Sequence, residues 1–70
     1  MEREYITSSM ITSIGYDSIA STLEIEFKNG AVWQYFDFPE HHWYDFKNTD
    51  SQGKLFLREI KNQYSESRVG

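Results

Sequence analysis

Three basic residues near the C-terminus recur at a spacing that suits phosphate binding. Lys54, Arg58 and Lys61 follow one another at i, i+4 and i+7, which on a helix places them along one side. A row of three cations attracts the anionic backbone of a nucleic acid, with weak and strongly salt-dependent affinity. The alternative is an ordinary solvated face of an amphipathic helix. We predict these three residues as the nucleic-acid-binding surface.

The segment Ser51-Gln52-Gly53-Lys54 is a second candidate, for binding an anion at a helix start. Free backbone N–H groups, a glycine that permits close approach and a lysine one turn in suit a phosphate group. The segment lacks the preceding glycine and the Gly-Lys-Ser/Thr ending of a Walker loop. The alternative is that Ser51 caps the helix and Gly53 packs closely against the sheet, which the sequence favours over an anion site at Ser51, Gly53 and Lys54.

No group of residues indicates catalysis or metal binding. His41 and His42 are adjacent and diverge on a helix, and each pairs only with Asp45 as a possible second ligand, whereas zinc sites use three or four. Glu24 and Glu26 share a strand face, which suggests paired carboxylates but is typical of the polar side of a half-buried strand. We therefore predict a protein that is not an enzyme, with no catalytic residue, metal or cofactor.

Composition narrows the class of protein. The 70 residues contain no cysteine, which excludes disulfides and thiolate zinc sites, and 17% are aromatic, which favours a core built on large rings. No apolar run is long enough to span a bilayer, so we predict a small soluble cytoplasmic protein without membrane contact. The net charge is −4: residues 1–46 carry eight acids and two bases, whereas residues 47–70 carry three acids and five bases. An anionic partner is therefore expected at the C-terminal part.

Hydrophobic periodicity predicts a single α+β domain over residues 1–70, ordered over about 6–64 and loose at both ends. Leu23, Ile25 and Phe27 alternate with polar residues, which is typical of a half-buried strand. Pro39 suits the first turn of a helix, and Asp50 or Ser51 can cap a second one. The predicted elements are strands 9–16, 22–27 and 31–36 and helices 39–48 and 51–64. They form a three-stranded antiparallel meander with two helices packed on one face.

Apolar spacing also predicts which side chains these elements bury. Trp43 and Phe46 face the core from the first helix, and the second helix carries a stripe of Phe56, Ile60 and Tyr64 with Leu57 adjoining. Gly15 within the first strand marks either a bulge or a close approach of backbone.

The closure of the hairpin 22–36 decides where its two largest rings point. A two-residue turn at Asn29-Gly30 would direct Trp33 and Tyr35 to solvent, as a platform on which bases stack. A three-residue closure with Gly30 left-handed would direct both rings into the core. A shift of one residue reverses every side chain. We favour the three-residue closure because it buries the two rings, so Trp33 and Tyr35 join the nucleic-acid-binding set only under the other closure.

The order of these features resembles the KTSC domain family, a short module at the C-terminus of some lysyl-tRNA synthetases that also occurs alone in small bacterial and phage proteins. The resemblance covers about residues 6–64. It departs from the family's central Tyr-x-Tyr at its first position, which is Trp33. The residues that carry it are Ser8-Ser9, Ile14-Gly15-Tyr16-Asp17, Leu23-Glu24-Ile25-Glu26-Phe27, Gly30, Trp33-Gln34-Tyr35, Phe38-Pro39, Ser51-Gln52-Gly53-Lys54, Phe56, Ile60 and Tyr64.

The resemblance implies RNA binding through the family's attachment to a synthetase. The net charge of −4 disfavours a generic nucleic-acid binder, whereas the basic excess of residues 47–70 suits an anionic partner. We therefore expect a small non-enzymatic binding module for tRNA or single-stranded RNA. The alternative is a protein–protein interaction domain that uses an exposed sheet edge, or that self-associates as a weak dimer rather than a monomer. An apolar patch at Val32 and Phe36 would favour this alternative.

Overall fold

The fold is a five-stranded antiparallel sheet with two helices inserted between its last two strands. The computed structural model describes all 70 residues. Each strand pairs with the next along the chain, in the order β1-β2-β3-β4-β5. Neither helix is long and apolar enough to cross a membrane. The elements are β1 Glu4–Tyr5, β2 Ile11–Asp17, β3 Thr22–Phe27, β4 Val32–Tyr35, α1 Glu40–Asn48, α2 Gln52–Leu55 with a π-helical continuation Phe56–Ile60, and β5 Glu66–Arg68.

The predicted α+β class with two helices is confirmed, but the prediction of three strands is wrong, because the sheet has five. Residues 4–5 pair with β2, and residues 66–68 pair with β4. Both added strands are short and exposed. Their backbone hydrogen bonds hold them on the sheet, and such bonds leave no alternation of apolar residues in the sequence.

The three-residue closure of the central hairpin is confirmed. The Phe27 N–H donates to Ala31 O at 2.9 Å, and Gly30 adopts a φ of 91°. Trp33 therefore lies opposite Ile25, and Tyr35 lies opposite Leu23. Both rings face the helices, where Tyr35 belongs to the buried core and Trp33 packs partly buried against it.

The strand β2 is irregular at its start and crowded near its end. Its pairing shifts between Ile11 and Ser13, so that Ile11 and Ile14, three residues apart, are both buried in the core. For Gly15 the sequence predicts either a bulge or a close approach of backbone, and the structure shows the close approach. A Cβ there would lie 2.4 Å from the carbonyl oxygen of Glu2, because residues 2 and 3 cross that face of the sheet.

The second helix ends earlier than predicted, at Ile60 rather than near Tyr64. Its last turn is closed by an i to i+5 bond in which the Lys61 N–H donates to Phe56 O at 2.8 Å. This wider turn brings Leu55 and Ile60, five residues apart, into the core, while Leu57 is 54% exposed. The predicted place of Leu57 beside the apolar stripe is therefore wrong, whereas Phe56 and Ile60 are buried as expected.

The core lies between the inner face of the sheet and the helices. Phe46 of α1 is fully buried and Trp43 is half-buried. Phe38, in the connection between β4 and α1, is also fully buried. The core residues are Ile11, Ile14, Leu23, Ile25, Tyr35, Phe38, Phe46, Leu55, Phe56 and Ile60.

Candidate functional site

The predicted basic residues are exposed on the second helical segment and at its C-cap, Lys61. Lys54, Arg58 and Lys61 are all exposed, and Leu57 is the exposed apolar residue among them. The buried side of the same segment is formed by Leu55, Phe56 and Ile60. The segment therefore presents a basic surface, defined here as Lys54, Leu57, Arg58 and Lys61.

The charge of this basic surface is partly balanced within the chain. The Arg58 guanidinium donates to the Glu59 carboxylate from Nε at 3.1 Å and from Nη2 at 2.9 Å. Lys54 and Lys61 form no ion pair. Two free ammonium groups and one shared guanidinium are thus available to an anionic partner.

The start of the second helix is capped as the sequence predicts. The Ser51 side chain accepts the Lys54 N–H at 3.4 Å. Gly53 lies against Met10, whose sulfur would be 3.3 Å from an added Cβ, and against the Ser8 hydroxyl. Capping and close packing therefore account for Ser51 and Gly53, and anion binding by Ser51, Gly53 and Lys54 stays a prediction.

The inclusion of Trp33 and Tyr35 among base-stacking residues is corrected by the register of the hairpin. Tyr35 is only 2% exposed, and its ring packs edge-on against Phe56 at 5.8 Å between centroids. Trp33 also faces the core and is half-buried. Contact of Tyr35 with a base would require the core to open.

A cluster around His42 joins the two helical segments and was missed by sequence reasoning. His42 Nδ1 lies 2.7 Å from the Tyr64 hydroxyl, and Nε2 lies 3.4 Å from Glu59 Oε1. The imidazole also stacks on Phe38, with 5.4 Å between ring centres. Glu59 and Tyr64 lie 17 and 22 residues beyond His42 in the sequence, so no local spacing indicates the cluster. The structure contains no group of three or more potential metal ligands.

The pKa values of two members show how this cluster is charged. Hydrogen bonding from Arg58 is the main cause that lowers the pKa of Glu59, with His42 adding to the effect. Burial, and secondly the charge of Glu59, raises the pKa of Tyr64. Tyr64 therefore keeps its proton at neutral pH, and the cluster joins an ionised carboxylate to a neutral phenol through His42.

The outer face of the sheet carries a polar network centred on Arg3. The Arg3 guanidinium donates to the Glu24 carboxylate and to the Ser13 hydroxyl, and Gln34 donates to Glu24 at 2.9 Å. Ser13 in turn donates to Glu26 at 2.9 Å. Glu24 is only 8% exposed. Glu24 is therefore paired with Arg3, and Glu26 shares the same guanidinium at 3.9 Å, so the two glutamates of β3 are held in a network and are not a free carboxylate pair.

A groove of about 480 Å³ opens where the N-terminal residues leave the edge of β2. It is lined by residues of the N-terminal segment, by Tyr16 and Ile19, and by Trp43 of α1. Tyr16 stacks on Trp43 at 5.5 Å between ring centres, and the Lys47 ammonium lies 5.6 Å from the centre of the Trp43 ring. Tyr16 also donates its hydroxyl proton to Phe38 O, which ties the wall of the groove to the core.

Stability is expected to fall at alkaline pH because Tyr35 must lose its proton when the chain unfolds. Burial, and secondly the charge of Glu66 opposite on β5, raises the pKa of Tyr35 above its ordinary value of 10.0. The folded state therefore holds the Tyr35 proton more tightly than the unfolded state does. The stability that this difference contributes is fully present below pH 10 and is lost as the pH rises above 10. The free energy of unfolding should drop by about 1.4 kcal/mol per pH unit for this group above pH 10.

Urea unfolding at several values between pH 8 and pH 11 measures this slope. Tyr35→Phe should flatten it, whereas Tyr44→Phe, a change at an exposed tyrosine, should leave it as in the parent. Equal slopes for the parent and Tyr35→Phe would contradict the prediction.

Comparison with known proteins places this geometry in a family. A family model described as the KTSC domain matches residues 7–64. The chain is 34% identical over 64 residues to an uncharacterized protein of Stutzerimonas stutzeri (strain A1501), covering 91% of this chain and 90% of that protein. It is 36% identical over 56 residues to a lysine–tRNA ligase of Nostoc punctiforme, covering 80% of this chain but 10% of the ligase.

A solved structure has the same fold. The crystal structure of a KTSC domain protein from Yersinia pestis superposes with a TM-score of 0.96 at 35% identity, covering 99% of this chain and 97% of the other. The two chains therefore share one fold along almost their whole length.

Proposed function

The chain belongs to the KTSC domain family, and we propose that its domain binds RNA through phosphate contacts from Lys54, Arg58 and Lys61. The observation that carries the proposal is that all three cations are exposed, Lys54 and Arg58 on one short helical segment and Lys61 at its C-cap, in an otherwise acidic chain. The similarity to part of a lysine–tRNA ligase supports an RNA partner. Because Tyr35 is buried, the contacts involve the backbone of the RNA and tolerate any base sequence.

Binding of this kind has a characteristic dependence on salt. Three phosphate contacts to a single strand give a slope of about −2 for log K against log salt, so affinity falls about 20-fold between 50 and 200 mM salt. Amide NMR spectra of the labelled domain, titrated with total tRNA and with a mixed-sequence 12-nucleotide RNA, should show shifts centred on residues 54–61. These shifts should fade at the higher salt concentration.

Matched charge reversals separate local contact from overall charge. The double variant Lys54→Glu with Lys61→Glu should abolish the shifts. Lys28→Glu, at the exposed turn between β3 and β4, changes the charge at a position outside the basic surface and should weaken binding much less. RNA binding is refuted if no amide moves at 50 mM salt. The assignment of binding to the basic surface is refuted if Lys28→Glu weakens binding as much as a single reversal at Lys54.

A second candidate function is protein interaction at a sheet edge, and it is favoured by the exposure of β5. All three residues of Glu66–Arg68 are exposed, and β5 is the last strand in the sheet. An open edge of this kind accepts a strand from a partner or from a second copy. The apolar patch expected at Val32 and Phe36, at the start of β4 and directly after its end, is not fully exposed, because both residues are half-buried.

A further inference from the structure

We infer that β5 pairs with β5 of a second copy in one antiparallel register, centred on Ser67, to form a continuous ten-stranded sheet. This inference rests on the second candidate function, interaction at a sheet edge, and is independent of RNA binding.

The hydrogen-bond pattern of β4 and β5 identifies which backbone groups are free. The Phe36 N–H donates to Ser65 O at 2.9 Å, and Gln34 lies opposite Ser67. In an antiparallel ladder the residues that bond to one neighbour alternate with those that face the other side. Ser65 and Ser67 therefore bond to β4, whereas the N–H and C=O groups of Glu66 and Arg68 point to the open edge.

Two copies of this edge are complementary when they pair about Ser67. Glu66 then lies opposite Arg68 of the second copy, and Arg68 lies opposite its Glu66. Both are residues whose backbone groups face outward, so each such pair forms two main-chain hydrogen bonds. Ser67 faces Ser67 at the closely spaced, non-hydrogen-bonded position, where small side chains fit.

The side-chain charges select this register against others. Glu66 forms no ion pair within the chain, and the Arg68 side chain donates only to Gly70 O, at 2.8 Å. Pairing about Ser67 places opposite charges across both outward pairs, which stabilises cross-strand contacts. A shift that centres the pairing on Glu66 places two glutamates opposite each other, and pairing about Arg68 places two arginines opposite each other.

The dimer also brings two basic surfaces to the same side of the sheet. The two-fold axis of an antiparallel edge pairing is perpendicular to the sheet, so both copies keep their helices on one face. Only four residues lie between Lys61 and Glu66, so a short stretch of chain joins each basic surface to the paired strands. One RNA strand then meets six cations instead of three.

Charge exchange within β5 tests the register. Sedimentation of the full chain at concentrations from 0.05 to 2 mM is expected to show a reversible dimer. Glu66→Arg alone and Arg68→Glu alone should each weaken the dimer about tenfold, because both outward pairs then have like charges. An equimolar mixture of the two single variants should restore dimer formation as a heterodimer, and the double variant Glu66→Arg with Arg68→Glu should dimerise as the parent does.

The possible outcomes separate the inference from the function on which it rests. A parent chain that stays monomeric at 2 mM overturns the dimer. If the parent dimerises and neither single reversal weakens the dimer, the chain self-associates by another surface, and the β5 register is overturned. Restoration in the mixture shows that the loss in the single variants is repulsion between the two β5 strands, and it cannot arise from misfolded variants. RNA titration of the same single variants, followed at residues 54–61, reports on RNA binding separately.

Discussion

Replacing Phe38 with alanine is expected to lower the free energy of unfolding by about 3–5 kcal/mol, the range for truncating a buried phenylalanine. Phe38 is fully buried. A domain of 70 residues has a total stability of about 4–10 kcal/mol. The substitution therefore removes a large part of the stability, or all of it.

The position of Phe38 explains why its replacement should also disturb the His42 cluster and the groove. Its ring lies 4.9 Å from that of Tyr64 and stacks on His42, so it supports the cluster between the helical segments. Its carbonyl oxygen accepts the hydroxyl proton of Tyr16 in the wall of the groove. The connection between β4 and α1 thus contacts the end of β2, the start of α1 and the residues that follow the second helical segment.

Urea unfolding followed by tryptophan fluorescence measures the effect. Phe36→Ala removes the same ring two residues away, where the side chain is half-buried and lies outside the core cluster. It should cost clearly less than Phe38→Ala. The assignment of Phe38 to the core would be wrong if Phe38→Ala cost under 1 kcal/mol, or if the two substitutions cost the same.

The parts of this fold that the sequence predicts are those held by local patterns. Alternation in residues 22–27 gives β3 with its observed bounds, and burial of Trp33 and Tyr35 selects the three-residue closure. The cap at Ser51 follows from residue type alone. In each of these cases the interacting groups lie within a few residues of one another.

The parts that sequence reasoning misses depend on distant partners or on backbone bonds. β1 and β5 are polar and exposed, so their pairing leaves no pattern of apolar residues. The π-helical turn replaces a spacing of four by one of five, which moves Leu57 to the surface. The contacts of His42 with Glu59 and Tyr64 need the completed packing of the helices. The basic surface was predicted from its spacing, but its neighbour Glu59 was not recognised as a partner of Arg58.

The second large effect is expected at Gly15, where alanine should lower the free energy of unfolding by about 1–3 kcal/mol. The added Cβ would lie 2.4 Å from Glu2 O and 3.0 Å from the Arg3 side chain. The backbone of residues 2 and 3 must then move away from β2. This movement withdraws the Arg3 guanidinium from Glu24, a carboxylate that is 8% exposed and keeps only Gln34 as a partner.

Two comparisons distinguish this mechanism from a general cost of replacing glycine. Gly53→Ala lies in a helix against the flexible side chain of Met10, so it should be neutral or stabilising by up to about 1 kcal/mol. Arg3→Met removes the guanidinium without a clash. If Gly15→Ala acts by displacing Arg3, the double variant should cost less than the sum of the single variants. If the free-energy costs of the two single variants are strictly additive, the cost of Gly15→Ala arises elsewhere. The Ile6 amide donates to Thr12 O beside β1, so faster hydrogen exchange of this amide would locate the cost at β1.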